Sequence, residues 1–178
     1  FYGGLGLFTY QGIPKAGYYA YKMLNRMEQV LVERGDGFAI TRSKNKNSIS
    51  IMLYYYCHYN ADKHDTKAQT SAEKQTIDRY AEFRHHNNRN VQLCLTNLLP
   101  GNYQKATYSI SRYAGSSYDK WIQMGFPAIM RTEDLCYLSS VSLPMRCFQE
   151  IHIDENGTLQ LSVLLQPHEV YLITLEKK

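Results

Sequence analysis

The sequence predicts a mainly β chain, an antiparallel two-sheet β-sandwich with one N-terminal helix and a short helical insert. Short runs rich in Val, Ile, Leu, Thr and Tyr are divided by Gly, Asp and Asn turns along most of its length. The 178 residues include 16 Tyr against 6 Phe and 1 Trp, a bias towards half-buried sheet surfaces where a ring packs inward and its hydroxyl reaches water. The length suits one domain with a proper core and is too short for a complete barrel enzyme.

The chain opens on a glycine- and aromatic-rich loop, Phe1-Tyr2-Gly3-Gly4-Leu5-Gly6-Leu7-Phe8, and only then feeds a helix. An opening of this kind is expected at the end of a larger protein. From Ile13 to Met27, Ala16, Tyr19, Ala20, Met23, Leu24 and Met27 recur at three- and four-residue steps, which predicts one amphipathic helix with Pro14 at its first position. Gln29–Val32, Gly37–Arg42 and Ser48–Tyr56 follow as β-rich runs. Arg34-Gly35-Asp36-Gly37 and Lys44-Asn45-Lys46-Asn47 separate them, the pattern of an antiparallel meander.

Asn60 to Asn88 is polar and without period, so a long loop is expected, with a strand around Tyr80 to Phe83. Alternation returns at Val91–Leu98. Pro100-Gly101 supplies a turn before Tyr103–Tyr113, and these two runs are expected to pair as a hairpin. Ser117–Met124 is bounded by capping residues and Gly125, and Thr132-Glu133-Asp134 starts a second short helix with Thr132 as its cap. Cys147–Ile153, Thr158–Leu165 and Val170–Leu175 complete a count of eight or nine strands.

Several functions are disfavoured by composition. The net charge of +4 comes from scattered Lys and Arg without the concentrated stripe that nucleic acid requires, so no direct nucleic-acid partner is expected. No apolar run approaches the roughly 20 residues of a membrane helix, and the N-terminus lacks signal-peptide order. Cys57, Cys94, Cys136 and Cys147 lie far apart, mostly in apolar runs. Each reads as a buried free thiol, which fits a cytoplasmic protein, with two disulfides left open by the spacing.

No constellation assigns chemistry. A glycosidase needs two facing carboxyl groups roughly 5 to 9 Å apart. Asp119, Glu133 and Asp134 sit instead at helix starts, where acids complement the dipole, and Asp154 with Glu155 sits in a turn before Asn156-Gly157. Cys57-His58, His64-Asp65 and His85-His86 offer metal-type ligands near one irregular loop, but match no compact zinc spacing and read as surface residues. Ser116 and Ser117 lack a Gly-x-Ser-x-Gly context, and Gly3-Gly4-Leu5-Gly6 lacks the Lys-Ser/Thr of a phosphate loop. Tyr54, Tyr55, Tyr56, Tyr59, Tyr113, Tyr118 and Trp121 could stack on sugars. Alternation puts Tyr55 on the opposite face from Tyr54 and Tyr56, core packing is the expected fate of most, and Trp121 reads as an anchor tying the insert to the sandwich. No catalytic, cofactor-binding or metal-binding residue is therefore assigned, and no cofactor is expected.

Tyr2-Gly3-Gly4-Leu5-Gly6-Leu7-Phe8-Thr9 with Gly12-Ile13-Pro14-Lys15-Ala16 and Tyr18-Tyr19-Ala20-Tyr21 resembles the tail of the family 39 glycoside hydrolases, the β-xylosidase family. Gly115–Pro127 and Leu165-Gln166-Pro167-His168-Glu169-Val170 also resemble the C-terminal β-sandwich of those proteins. The resemblance implies that residues 1–27 are the terminal loop and last helix of a preceding (β/α)₈ barrel, and that 28–178 form a β-sandwich accessory domain. It also implies that the acid/base and nucleophile glutamates lie upstream, so that this portion is inactive by itself and has its own barrel as partner. A similar organisation occurs in AraC-type regulators carrying a family 39-like region. That alternative would make the domain a sugar sensor, with a xylo-oligosaccharide as a further partner.

Overall fold

The computed structural model describes residues 5–58, 78, 80, 83 and 86–178. The loop residues 1–4, most of the expected loop at 60–88 and strand at 80–83, and Tyr59, His64, Asp65 and His85 lie outside the described residues. Among the described residues three helices and eight strands follow in the order α1 (Ala16–Leu24), β1 (Val30–Gly35), β2 (Phe38–Arg42), β3 (Ser48–Tyr54), β4 (Arg89–Leu95), β5 (Gly101–Ile110), α2 (Ser117–Gln123), α3 (Thr132–Val141), β6 (Met145–Ile153), β7 (Leu159–Leu165) and β8 (Val170–Lys177). The fold is mainly β, as the turn-punctuated sequence predicts.

Among the described residues all strand pairs are antiparallel. Six strands form one sheet in the order β1-β2-β3-β8-β5-β6, and β4 pairs with β7 in a second. The meander β1–β3 is as expected, but the hairpin expected between the runs at 91–98 and 103–113 is not formed. Burial explains the difference. On β4, Val91, Leu93 and Leu95 turn to the core while Asn90, Gln92 and Cys94 face out, so this strand suits a sheet with one covered face. Strand β5 buries both faces, Tyr103 on one and Ala106, Tyr108 and Ile110 on the other, which suits a place between β8 and β6. The connection from β4 to β5 therefore crosses between sheets instead of turning tightly.

That crossing is fixed by Leu98, which is buried and whose N–H donates to the carbonyl of Gly157 at 3.0 Å. Gly157 sits at φ +60° in the Asp154–Gly157 turn, and a Cβ there would meet the Leu98 carbonyl oxygen at 2.5 Å, so only glycine permits the approach.

Two cores lie on opposite faces of the six-stranded sheet. On one face Ile40, Ile49, Ile51, Leu53, Tyr103, Ile173 and Leu175 pack against Leu95 and Leu165 of the small sheet. On the other, Met52, Ala106, Tyr108, Ile110 and Leu172 receive Tyr19 and Met23 of α1. The period-two alternation of β3 and β8 serves both at once, because successive side chains point to opposite faces. Helix α1 begins at Ala16 with Lys15 as its N-cap. Pro14 is not its first residue but bridges back to Phe8.

The insert holds α2 and α3. Helix α3 starts at Thr132, with Arg131 in the cap position and its N–H donating to the Asp134 carboxylate at 2.8 Å, so Thr132 is the first helical residue rather than the cap. Trp121, expected to tie the insert to the sandwich, makes its described contacts with neighbours in the insert. Its indole N–H donates to the Pro127 carbonyl at 3.0 Å and its ring meets Tyr118 and Phe126, which closes the insert on itself. Ser117 Oγ donates to the Pro14 carbonyl at 3.3 Å and the Ser142 hydroxyl meets the Tyr19 hydroxyl at 3.5 Å, linking the insert to the N-terminal loop and α1.

The cysteines are free, but only Cys57 is buried. Cys94 lies on the outward register of β4, Cys136 on the outer side of α3 and Cys147 on edge strand β6, where apolar neighbours in sequence do not amount to cover in space. Tyr54 and Tyr56 are exposed while Tyr55 packs on the core, as alternation predicts. Among the described residues no helix is long and apolar enough to cross a membrane.

Candidate functional site

A cavity of about 560 Å³ opens where the end of β5, the start of α2 and the β7–β8 turn meet residues of the 78–88 stretch. Its polar centre is built by local chain chemistry. After Ile110 the chain turns back, with the Ser111 N–H donating to the Ala114 carbonyl at 2.7 Å and the Ser111 hydroxyl accepting from the N–H groups of Tyr113 and Ala114. Gly115, at φ +80°, completes the turn against Ile110 and Pro144. Ser116 then caps α2. Its hydroxyl accepts from the Asp119 N–H at 3.3 Å and donates to the Asp119 carboxylate at 2.6 Å.

Asp119 thereby becomes buried, and its second oxygen accepts from Arg112 Nε at 2.8 Å. Arg112 Nη2 donates to Asp78 at 2.7 Å, so one guanidinium is held between two carboxylates that are themselves largely shielded. Burial opposes the charge on Arg112, but its hydrogen bonds to the carboxylates of Asp78 and Asp119 outweigh it and hold the guanidinium further above its ordinary pKa. Asp119 is thus more than a dipole-complementing acid at a helix start.

The opposite wall is the β7–β8 turn. The Glu169 carboxylate accepts from the Gln166 N–H at 2.8 Å, the His168 N–H donates to the Tyr55 carbonyl at 2.6 Å and the Tyr55 N–H donates to the Glu169 carbonyl at 3.1 Å. His168 sits at φ 63°, ringed edge-on by Tyr56, Tyr80 and Phe83, and its buried Nε2 has no hydrogen-bond partner. Burial, then the proximity of His86, lowers its pKa, and burial raises that of Glu169 against the opposing Gln166 N–H.

A histidine held neutral contributes stability that is complete above its unfolded value of roughly 6.5 and is lost as pH falls through the lower folded value. The melting temperature should therefore fall on acidification below that point. His168→Asn, which tolerates positive φ and does not titrate, should shrink that fall. Superimposable pH profiles for the two proteins would contradict this.

The sequence-predicted candidates scatter. Asp119 and Ser116 come together in this cavity, and Tyr113 and His86 line it. Glu133 and Asp134 lie on α3. Asp154 accepts from the Asn156 N–H within its own turn, as expected, with Glu155 beside it. His58 meets Tyr56 edge-on, and among the described residues no group of three His, Cys, Asp or Glu comes together as a metal site. Arg112, Asp78 and His168 were not among the sequence-predicted residues. Ser116-x-x-Asp119 was the one local signal, because a capping serine with an acid three residues on marks an ordered polar turn. A second groove of about 780 Å³ runs along β4 towards β1 and β2, and its ion pair, Arg89 with Asp36, is open to solvent.

No known family's sequence profile matches the chain, and no curated protein matches it. Among solved structures it is similar to the GH39 enzyme from Xanthomonas axonopodis pv. citri, with a TM-score of 0.75 at 17% identity, covering 99% of this chain and 33% of that one. It is also similar to a monomeric β-xylosidase from Caulobacter crescentus CB15, with a TM-score of 0.68 at 23% identity and coverage of 98% and 33%. A bacterial orthologue of human α-L-iduronidase matches at a TM-score of 0.64 and 11% identity, over 93% of this chain and 28% of that one. The chain spans about a third of the length of these structures. At such identities the likeness is one of fold, and the fold of this chain is that of about one third of a GH39-type glycoside hydrolase.

Proposed function

We propose that this chain is a non-catalytic β-sandwich portion of a β-xylosidase-like glycoside hydrolase, residues 28–178 forming the accessory unit and 1–27 the terminal loop and helix of a (β/α)₈ barrel against which it packs. The observation that carries this reading is the match of nearly the whole chain to a third of GH39 structures whose remaining two thirds lie outside it. The outer side of the N-terminal segment supports it. While Tyr19 and Met23 are buried on the sheet, Leu5, Phe8, Tyr10, Tyr21 and Leu24 are exposed, an apolar surface suited to a further packing partner. All three matched structures are of enzymes, which favours this setting over an AraC-type regulator. The four free thiols suit a reducing bacterial cytoplasm.

Truncation tests the reading. The barrel-bearing protein ended at residue 27 should lose several degrees of melting temperature while its KM for an aryl β-xyloside changes little. An unchanged melting temperature would argue against a packing role.

A further inference from the structure

We propose that the free edge of strand β6 joins the same strand of a second copy of this chain, antiparallel and about a two-fold axis at Phe148, so that the two six-stranded sheets continue into one another. Strand β6 lies at the end of its sheet and pairs with β5 alone among the described residues, which leaves the N–H and C=O groups of its outer edge without a strand partner. Met145 to Glu150 are exposed, so neither face of the strand is covered there. Met145 and Phe148 are each 57% exposed, and large apolar side chains on an unpaired edge invite a partner.

The order of residues along β6 selects a second copy as that partner. Pairing with β5 places Arg146 opposite Tyr108, Phe148 opposite Ala106 and Glu150 opposite Gln104, so the three share the face that carries α1. An axis normal to the sheet sets side chains of one face opposite side chains of the same face. With Phe148 on the axis, its ring stands opposite its own copy, Arg146 opposite the partner's Glu150 and Glu150 opposite the partner's Arg146, while on the other face Met145 stands opposite Ile151. Moving the axis by one residue loses this match, because Gln149 on the axis sets Phe148 against Glu150 and Cys147 on the axis sets Phe148 against Arg146. Both charges are available. Arg146 lies over the Tyr108 ring at 5.5 Å with no carboxylate partner among the described residues, and Glu150 accepts from Lys178 through Oε1, which leaves Oε2. Opposite charges directly across an antiparallel pair stabilise it and like charges destabilise it.

Association of this kind needs neither catalysis nor a barrel. It rests on this chain's own β6 residues, since the Caulobacter β-xylosidase of similar fold is monomeric. Sedimentation equilibrium of the 178-residue chain at micromolar concentration should report a dimer. Arg146→Glu sets two acidic pairs across the axis and Glu150→Arg two basic pairs, so each single variant should weaken the dimer about tenfold. Both substitutions in one chain restore opposite charges and should recover the affinity of the unaltered chain. The altered side chains are exposed, so circular dichroism should be the same in all four proteins. An unaltered chain that stays monomeric, as expected if an upstream segment is what covers this edge, would overturn the proposal. So would single variants that dimerise as tightly as the unaltered chain, or a double variant that remains weak.

Discussion

Tyr103→Ala is expected to lower the free energy of unfolding by roughly 4 kcal/mol, the upper range for truncating a fully buried aromatic residue. Tyr103 has no exposed surface and lies where β5, flanked by β6 and β8, faces the small sheet, within the cluster that includes Ile51, Leu53, Ile153 and Leu165. Its hydroxyl donates to the Leu99 carbonyl at 2.8 Å, on the connection that carries the chain from β4 to β5. The alanine variant thus opens a cavity between the sheets and releases the crossover together. Tyr103→Phe removes only the hydrogen bond and should cost about 1 kcal/mol. Denaturant titration of the three proteins separates the two contributions. A loss below about 2 kcal/mol for the alanine variant would mean that the sheets do not pack through this residue.

Asp119→Ala is the second large effect, expected at roughly 3 kcal/mol. It removes a carboxylate that accepts from Arg112 and from the Ser116 hydroxyl, and leaves a partly buried guanidinium with Asp78 alone. It also frees Ser116, the cap of α2, from the acid that orients it. Removing one member of a shielded ion pair costs more than the pair is worth, because the remaining charge stays desolvated. A double-mutant cycle with Arg112→Met and Asp119→Asn should show a coupling above about 1 kcal/mol, and additive effects would contradict the bridging geometry.

Much of the fold is legible in the sequence because it is written in local terms. The Arg34–Gly37 and Lys44–Asn47 turns mark the meander, the apolar stripe from Ala16 to Met23 marks α1, and Ser116 with Gly125 brackets α2. Strand pairing is less legible. The run from Val91 to Leu98 has its neighbour in sequence at Tyr103, but its neighbour in space at Leu159–Leu165, and only the burial of β5 on both faces decides between them. The cysteines illustrate the same limit, since Cys94 sits in an apolar run and still faces outward by register. In the candidate site, Ser116 and Asp119 are close in sequence and visible there. The other carboxylate on Arg112 comes from Asp78, and His168 reaches the cavity from the β7–β8 turn, so no spacing rule could unite them.

The central claim is that this β-rich chain supports a glycosidase without performing its chemistry. Incubation of purified residues 1–178 with an aryl β-xyloside tests it most directly. The account predicts release of aglycone at the rate of the buffer control, and turnover above that rate that persists through purification would contradict it.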